Sequence, residues 1–282
     1  MKRILLLCII YSLAISVDAQ IHKKIDVGGH RIDVKIKQGG PIPVIFEAGL
    51  TKDLTCWDPI FNVVGSFTTA VAYSRAGYGD SEAGPFPRIP SIIFNDFRAL
   101  IDSLGLNKPL ILVGHSWGGL LARYYTTQIP ERIGGLVLVD ATHGAEDQTL
   151  LESDSVKWSY FFRGYAAAID SLKRVKAFSE SVFSEWDAID EICQSGGIDF
   201  EPLQLPNIPI VVITAQGGDS SDPDIQHTKR KNQAEWLEYS TNAMWIITDK
   251  SGHDVMVFQP NLIIDGIEYI NKILLAEQSS GN

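Results

Sequence analysis

Ser116 is the residue of this chain best suited to act as a nucleophile. It sits in Gly114-His115-Ser116-Trp117-Gly118-Gly119, after the apolar run Leu110-Ile111-Leu112-Val113 and before Leu120-Leu121-Ala122-Arg123-Tyr124-Tyr125. A buried strand, a tight turn and an amphipathic helix in that order form a nucleophile elbow. In so sharp a turn the residues two before and two after the serine pack together. Gly114 and Gly118 must therefore lack side chains, and Ser116 projects from the apex. The bare Gly-x-Ser-x-Gly pattern is weak; the strand-turn-helix setting makes it informative.

A serine hydroxyl attacks only once a base takes its proton, and the chain has six histidines, at 22, 30, 115, 143, 227 and 253. His253, in Asp249-Lys250-Ser251-Gly252-His253-Asp254, follows the last apolar run, Met244-Trp245-Ile246-Ile247. In an open parallel sheet the carboxyl ends of the strands share one edge, where sites form. Ser116 and His253 both fall on that edge, and Gly252 lets the loop approach. A lone loop histidine is ordinarily a solvated side chain; order and placement reverse that here. His115 adjoins the nucleophile, but neighbours on a sharp turn point apart, so it reads as packing. His143, which also follows a strand, is the rival base.

The histidine needs a carboxylate to fix its tautomer and stabilise its cation. Asp140 ends Leu136-Val137-Leu138-Val139-Asp140, and Asp219 follows Ala215-Gln216-Gly217-Gly218 after the next strand. Both stay open on the residues alone; each has a plainer reading as a capping or turn aspartate. Two N–H donors must also meet the developing oxyanion. The Trp117 amide at the start of the elbow helix supplies one. The loop after Val44–Glu47 supplies the other at Leu50, with Gly49 as pivot. Such chemistry needs no metal or organic cofactor, and no Cys/His spacing suggests a zinc site.

These residues need a scaffold that puts strand ends side by side. Ile25 to Lys37, with Gly28-Gly29 inside it, reads as a β-hairpin. Strands follow at Pro43–Glu47, Thr69–Tyr73, Leu110–Val113, Gly135–Asp140, Pro209–Ile213 and Met244–Ile247. Helical spacing marks 92–104, 226–239 and 262–275. Apolar runs alternating with helices imply an α/β fold with a mostly parallel, doubly wound sheet. Residues 143–205 break the rhythm with aromatic-rich helical patterns and no buried strand. They read as a helical lid inserted into a core made of 20–142 and 206–282. The lid aromatics are more often packing than substrate contacts.

At 282 residues, 45% hydrophobic and 21% charged, the chain can bury one large core, and its net charge of −10 disfavours nucleic acid and anionic membranes as partners. Lys2-Arg3, the apolar stretch Ile4–Val17 and the small residues of Val17-Asp18-Ala19 make residues 1–19 a secretory signal peptide. The apolar stretch is too short to span a bilayer. The mature chain is then exported, to the periplasm or beyond, with no stable membrane anchor. Cys56 and Cys193 would remain, either as a disulfide or as two separate buried thiols.

Taken with Phe46-Glu47-Ala48-Gly49, Tyr73-Ser74-Arg75-Ala76-Gly77-Tyr78-Gly79-Asp80-Ser81 and Ser251-Gly252-His253, the elbow gives the chain a resemblance to the α/β-hydrolase fold family over nearly its whole mature length. Two departures stand out. Ser74 replaces the aspartate that members commonly carry before the arginine, which implies a local change in hydrogen bonding. Members commonly place the acid four residues after the penultimate strand, where this chain has glycine and Asp219 comes one residue late. Other members carry the acid after the preceding strand, which matches Asp140, so the resemblance favours Asp140 over Asp219.

The resemblance implies a serine hydrolase that cleaves a carboxylic ester through an acyl-enzyme, and the lid aromatics suggest a small, partly apolar substrate. Dehalogenases and epoxide hydrolases of this fold use an aspartate nucleophile, so Ser116 disfavours them. An aminopeptidase or a carbon–carbon bond hydrolase could use the same triad. For the former, Glu146, Asp147, Glu152 and Asp154 could hold an amine, although charged residues there are usually just solvated. A non-catalytic small-molecule binding module on this fold is the reading from another class; degenerate members lose the serine, histidine or oxyanion glycine, and this chain keeps all three.

Overall fold

A computed structural model describes residues 20–195, 204–217 and 222–280. The leader expected at 1–19 and Asp219 lie outside the described residues. Elements follow in the order β1 (Gln20–Asp26), β2 (Arg31–Gln38), β3 (Pro43–Glu47), α1 (Asp58–Val64), β4 (Thr69–Tyr73) and α2 (Pro90–Ser103). Then come β5 (Leu110–His115), α3 (Trp117–Gln128), β6 (Ile133–Val139), α4 (Glu146–Ser153), α5 (Ser155–Arg174) and α6 (Glu180–Gln194). The chain continues with β7 (Ile210–Ala215), α7 (Pro223–Glu235), β8 (Ala243–Thr248), α8 (Val255–Phe258) and α9 (Pro260–Ser280). No helix of the described residues is long and apolar enough to cross a membrane.

The eight strands form one sheet in the order β1-β2-β4-β3-β5-β6-β7-β8. The hairpin β1-β2 and the β2-β4 pair are antiparallel, and every other pair is parallel. The central strands read as unbroken apolar runs because both faces are covered. Ile45, Leu112, Leu138 and Val212 face one core with α2 and α3. Phe46, Val113, Val137 and Ile213 face the other with α1 and α9. Each such fully buried side chain contributes about 1.5–3 kcal/mol of transfer free energy as an upper estimate.

Strand order places the site. From β3 the chain moves one way to β4, then crosses over β3 to β5 and continues the other way to β8. The connections diverge at β3 and β5, the point beyond whose carboxyl ends sites form in open α/β sheets. The loop carrying Ala48 to Leu50 leaves β3 there, and Ser116 leaves β5.

The sequence reading and the structure agree on the strands and the long helices, with ends shifted by a few residues. The short helix α1 was not foreseen, since seven residues opening with Asp58-Pro59 carry too little periodicity. Three helices, α4 to α6, stand between β6 and β7.

Candidate active site

The nucleophile candidate sits on a strained corner. Ser116 has φ 54° and ψ −123°, a region rarely used by residues other than glycine. Such backbone costs about 1–3 kcal/mol and persists only when its surroundings enforce it. Here Ser116 N–H donates to Val139 O at 3.1 Å, while its carbonyl accepts from Gly119 N–H at 2.8 Å and Thr142 N–H at 3.1 Å. Close packing completes the corner. A Cβ on Gly114 would lie 2.5 Å from Gly118 O, and one on Gly118 would lie 2.4 Å from Glu47 O. The Ser116 hydroxyl caps no helix and is left for other work.

Asp140 and His253 meet across 113 residues. His253 Nδ1–H donates to Asp140 Oδ2 at 2.7 Å. Asp140 is buried and also accepts from Ala215 N–H at 3.0 Å. Lys229 of α7 donates to both carboxylate oxygens, each at 3.1 Å. Burial alone would raise the Asp140 pKa, but the His253 hydrogen bond and the Lys229 charge outweigh it and hold the carboxyl below its ordinary value. It therefore stays ionised across the neutral range. No hydrogen bond joins Ser116 to His253 among the described residues.

His115 does more than pack beside the elbow. Its ring lies 4.5 Å from that of His253, centroid to centroid, and its Nε2–H donates to the His253 carbonyl at 2.9 Å. A carbonyl only accepts, so the tautomer is assigned. Burial, then the neighbouring His253, pushes the His115 pKa down to about 3, and it remains a neutral strut under the histidine loop. That loop is also tied to the loop after β3 by Lys52 Nζ and Asp254 Oδ1 at 2.9 Å.

The Leu50 and Trp117 backbone N–H groups have no protein acceptor among the described residues. The Gly49–Leu50 peptide is held by Arg75, whose Nη2 donates to Gly49 O at 3.0 Å and whose Nη1 donates to Ala48 O at 2.5 Å. In a trans peptide C=O and N–H point opposite ways, so the Leu50 N–H faces away from Arg75. A Cβ on Gly49 would stand 2.7 Å from the buried His115 Nδ1 and 3.3 Å from Ser116 Cβ, which is why this pivot is glycine.

The other candidates are placed elsewhere. His143 is buried and stacks on Trp236 with ring centroids 5.5 Å apart; burial and the Arg123 charge push its pKa down to about 3. Ser74, in place of the common aspartate, accepts from Leu54 N–H at 3.2 Å. Cys56 and Cys193 are both free. Of the four acidic residues considered for an amine site, Asp154 caps α5 and Glu152 accepts from Gln148 on the surface. Glu146 and Asp147 instead line a cavity of about 240 Å³ with Asp190, Thr142, Phe161 and Tyr165. A larger cavity of about 380 Å³, lined by Ile89, Tyr124 and Ile192 among others, holds none of the site residues.

Lys229 and the buried residues behind Leu50 were not found from sequence. Lys229 sits in a polar helix whose lysines look solvated, and nothing local marks it. Glu47 and Arg75 fell within recognised motifs but carried no assigned role.

The model of the "Alpha/beta hydrolase family" matches residues 45–265. An "AB hydrolase superfamily protein" of Gibberella zeae is 23% identical over 83% of this chain and 87% of its own. Among solved structures, an epoxide hydrolase of Bacillus megaterium superimposes with a TM-score of 0.68 at 17% identity, covering 88% of this chain and all of the other. A thermophilic esterase of Thermogutta terrifontis does so with a TM-score of 0.63 at 19% identity, covering 90% and 99%. At these identities the two structures share the fold.

Proposed function

Because the chain belongs to the alpha/beta hydrolase family, we propose that it is a serine hydrolase acting on small, partly apolar carboxylic esters. The observation that carries this reading is the 2.7 Å bond from His253 Nδ1–H to the ionised, buried Asp140, on the same sheet edge as a serine forced to the apex of a strained turn. In this reading Ser116 Oγ attacks the ester carbonyl carbon while His253 Nε2 takes its proton. The carbonyl electron pair moves onto oxygen, where the Leu50 and Trp117 N–H groups receive it. Collapse breaks the bond to the alcohol oxygen, which leaves with the proton from His253. Water, deprotonated by the same histidine, then releases the acid and regenerates Ser116. An epoxide hydrolase shares the fold, but the residue at the apex here is a serine.

A fluorophosphonate probe tests the reading directly. The purified mature protein is expected to gain one phosphonyl adduct, mapped to Ser116 by peptide mass spectrometry. A folded protein that takes up none overturns it in favour of a binding module. The leader at 1–19 makes the exported fraction the place to look for the enzyme.

One observation supports a second reading, in which the substrate bears an amine. Thr142, whose N–H holds the Ser116 carbonyl, lines the 240 Å³ cavity together with Glu146, Asp147, Asp190 and aromatic walls. Burial and the neighbouring carboxylates push Asp147 up to about 7, and burial and Asp187 push Asp190 up to about 6. Both are neutral below these values and anionic above them. The preference for an ammonium-bearing ester over its neutral isostere is therefore expected to rise about tenfold as pH increases from 5 to 8, the equivalent of one pKa unit of interaction. A ratio of kcat/KM values flat across that range would remove the amine reading and leave the apolar one.

A further inference from the structure

We propose that Glu185, on the inserted helix α6, is a positioning residue that holds both oxyanion donors in place. This rests on the esterase reading above and deepens it. Glu185 is fully buried, and its Oε2 gathers three donors: Arg75 Nε at 2.9 Å, Tyr78 Oη at 2.8 Å and Trp117 Nε1 at 3.0 Å. Two of these lead straight to the site. Trp117 provides one of the assigned N–H groups from its own backbone, so a hydrogen bond to its indole restrains the residue at the start of α3. Arg75 grips the carbonyls of Ala48 and Gly49, and thereby sets the plane of the peptide that presents the Leu50 N–H.

The remaining contacts make this a braced point rather than a loose ion pair. Arg75 Nη1 also donates to buried Glu47 at 2.8 Å, and Tyr73 Oη donates to the same carboxylate. Arg88, itself paired with Asp96 at 2.8 Å, brings its Nε to 4.0 Å from Glu185 Oε1. The start of α6 is fixed to the loop that carries Arg75, since Ser179 Oγ–H donates to Gly77 O at 2.8 Å. Ser184 Oγ accepts from Arg88 N–H at 2.9 Å. Buried ion pairs are weak evidence of stability gained. Here one carboxylate from the insertion reaches the supports of both donors, which lie on different strands' loops. That convergence is the argument for positioning.

Two variants that each keep an acceptor, and so leave no bare buried cation, test the proposal. Glu185→Asp draws the carboxylate back by one methylene, and Glu185→Gln keeps its reach without its charge. Misplacing catalytic groups by about 1 Å costs about 100-fold. Glu185→Asp is therefore expected to lower kcat on an ester 10- to 100-fold with KM within about twofold. Its Ki for a trifluoromethyl ketone, which forms the oxyanion without a leaving group, should rise by the same factor. Glu185→Gln should recover kcat to within about fivefold of wild type. Phosphonate titration corrects each rate for the active fraction, so a merely structural loss lowers the titre and leaves Ki unchanged. An active wild type with unaltered kcat and Ki in Glu185→Asp overturns the proposal alone. A wild type that takes no phosphonate and hydrolyses no ester overturns the esterase reading and this proposal with it.

Discussion

Ser116→Ala is expected to lower kcat on an activated ester by about 10⁶-fold and to abolish phosphonate labelling. The size follows from what would be left behind. His253, Asp140 and the two amides would still surround the substrate, yet no group at the apex could form the covalent bond that splits a hard step into two easier ones. A water in the hydroxyl's place would have to be held by the remaining groups alone, with no covalent bond to the corner to aim its oxygen. Stability should hardly change. The hydroxyl caps no helix, and alanine and serine carry the same penalty at φ 54°, so a shift within about 0.5 kcal/mol is expected in a urea titration. Comparing turnover and unfolding of the two proteins checks both halves. Turnover within tenfold of wild type would show that Ser116 is not the nucleophile.

Much of this site is legible in the sequence because its parts are local. The elbow is six consecutive residues; Gly114 is dictated by contact within the turn, while Gly118 and Gly119 are pressed by Glu47 of β3 and by Ala141. His253 follows the last strand at once, so strand periodicity alone sends it to the working edge. Strands covered on both faces show as unbroken apolar runs, and these mark the strands along the chain without any contact information; the order in which they pair, with β4 and β3 exchanged, is not written there.

What stays hidden depends on contacts far apart in the chain. Asp140 and Asp219 follow neighbouring strands, and no spacing rule says which one meets the histidine. Lys229 reaches Asp140 across 89 residues, from a helix whose composition announces only solvent. Glu185 sits among the charges of Glu180-Ser181-Val182-Phe183-Ser184-Glu185-Trp186-Asp187 and looks like one more exposed acid on an inserted helix. Its burial follows from α6 lying over the Arg75–Gly79 loop, a matter of tertiary packing that helical periodicity does not encode. His115 shows the same limit: its backbone position was evident, but the 2.9 Å bond to the His253 carbonyl depends on where a loop 138 residues away comes to rest.

Asp140→Asn is expected to cost about 10⁴-fold in kcat while preserving the fold, and the surroundings of this carboxylate explain why. The residue has φ 41°, a left-handed conformation that asparagine tolerates as well as aspartate does, so the backbone need not move. The amide must replace one acceptor oxygen with a donor. At the Oδ1 position it would face two donors, the Ala215 N–H and Lys229. At the Oδ2 position it would face Lys229 and the His253 ring. Only the ring can change roles, by giving up its Nδ1 proton and becoming an acceptor. The amide therefore settles with its NH₂ toward His253, and the imidazole proton moves to Nε2. That is the nitrogen required to take the proton from Ser116, so the base is blocked although every heavy atom keeps its place. The loss should shrink at high pH, where hydroxide can help to deprotonate the serine. Steady-state turnover from pH 6 to 10, with Asp219→Asn measured alongside, decides the assignment. A large loss in Asp219→Asn and a small one in Asp140→Asn would transfer the acid's role to Asp219 and leave Asp140 a structural anchor for Lys229 and the His253 loop.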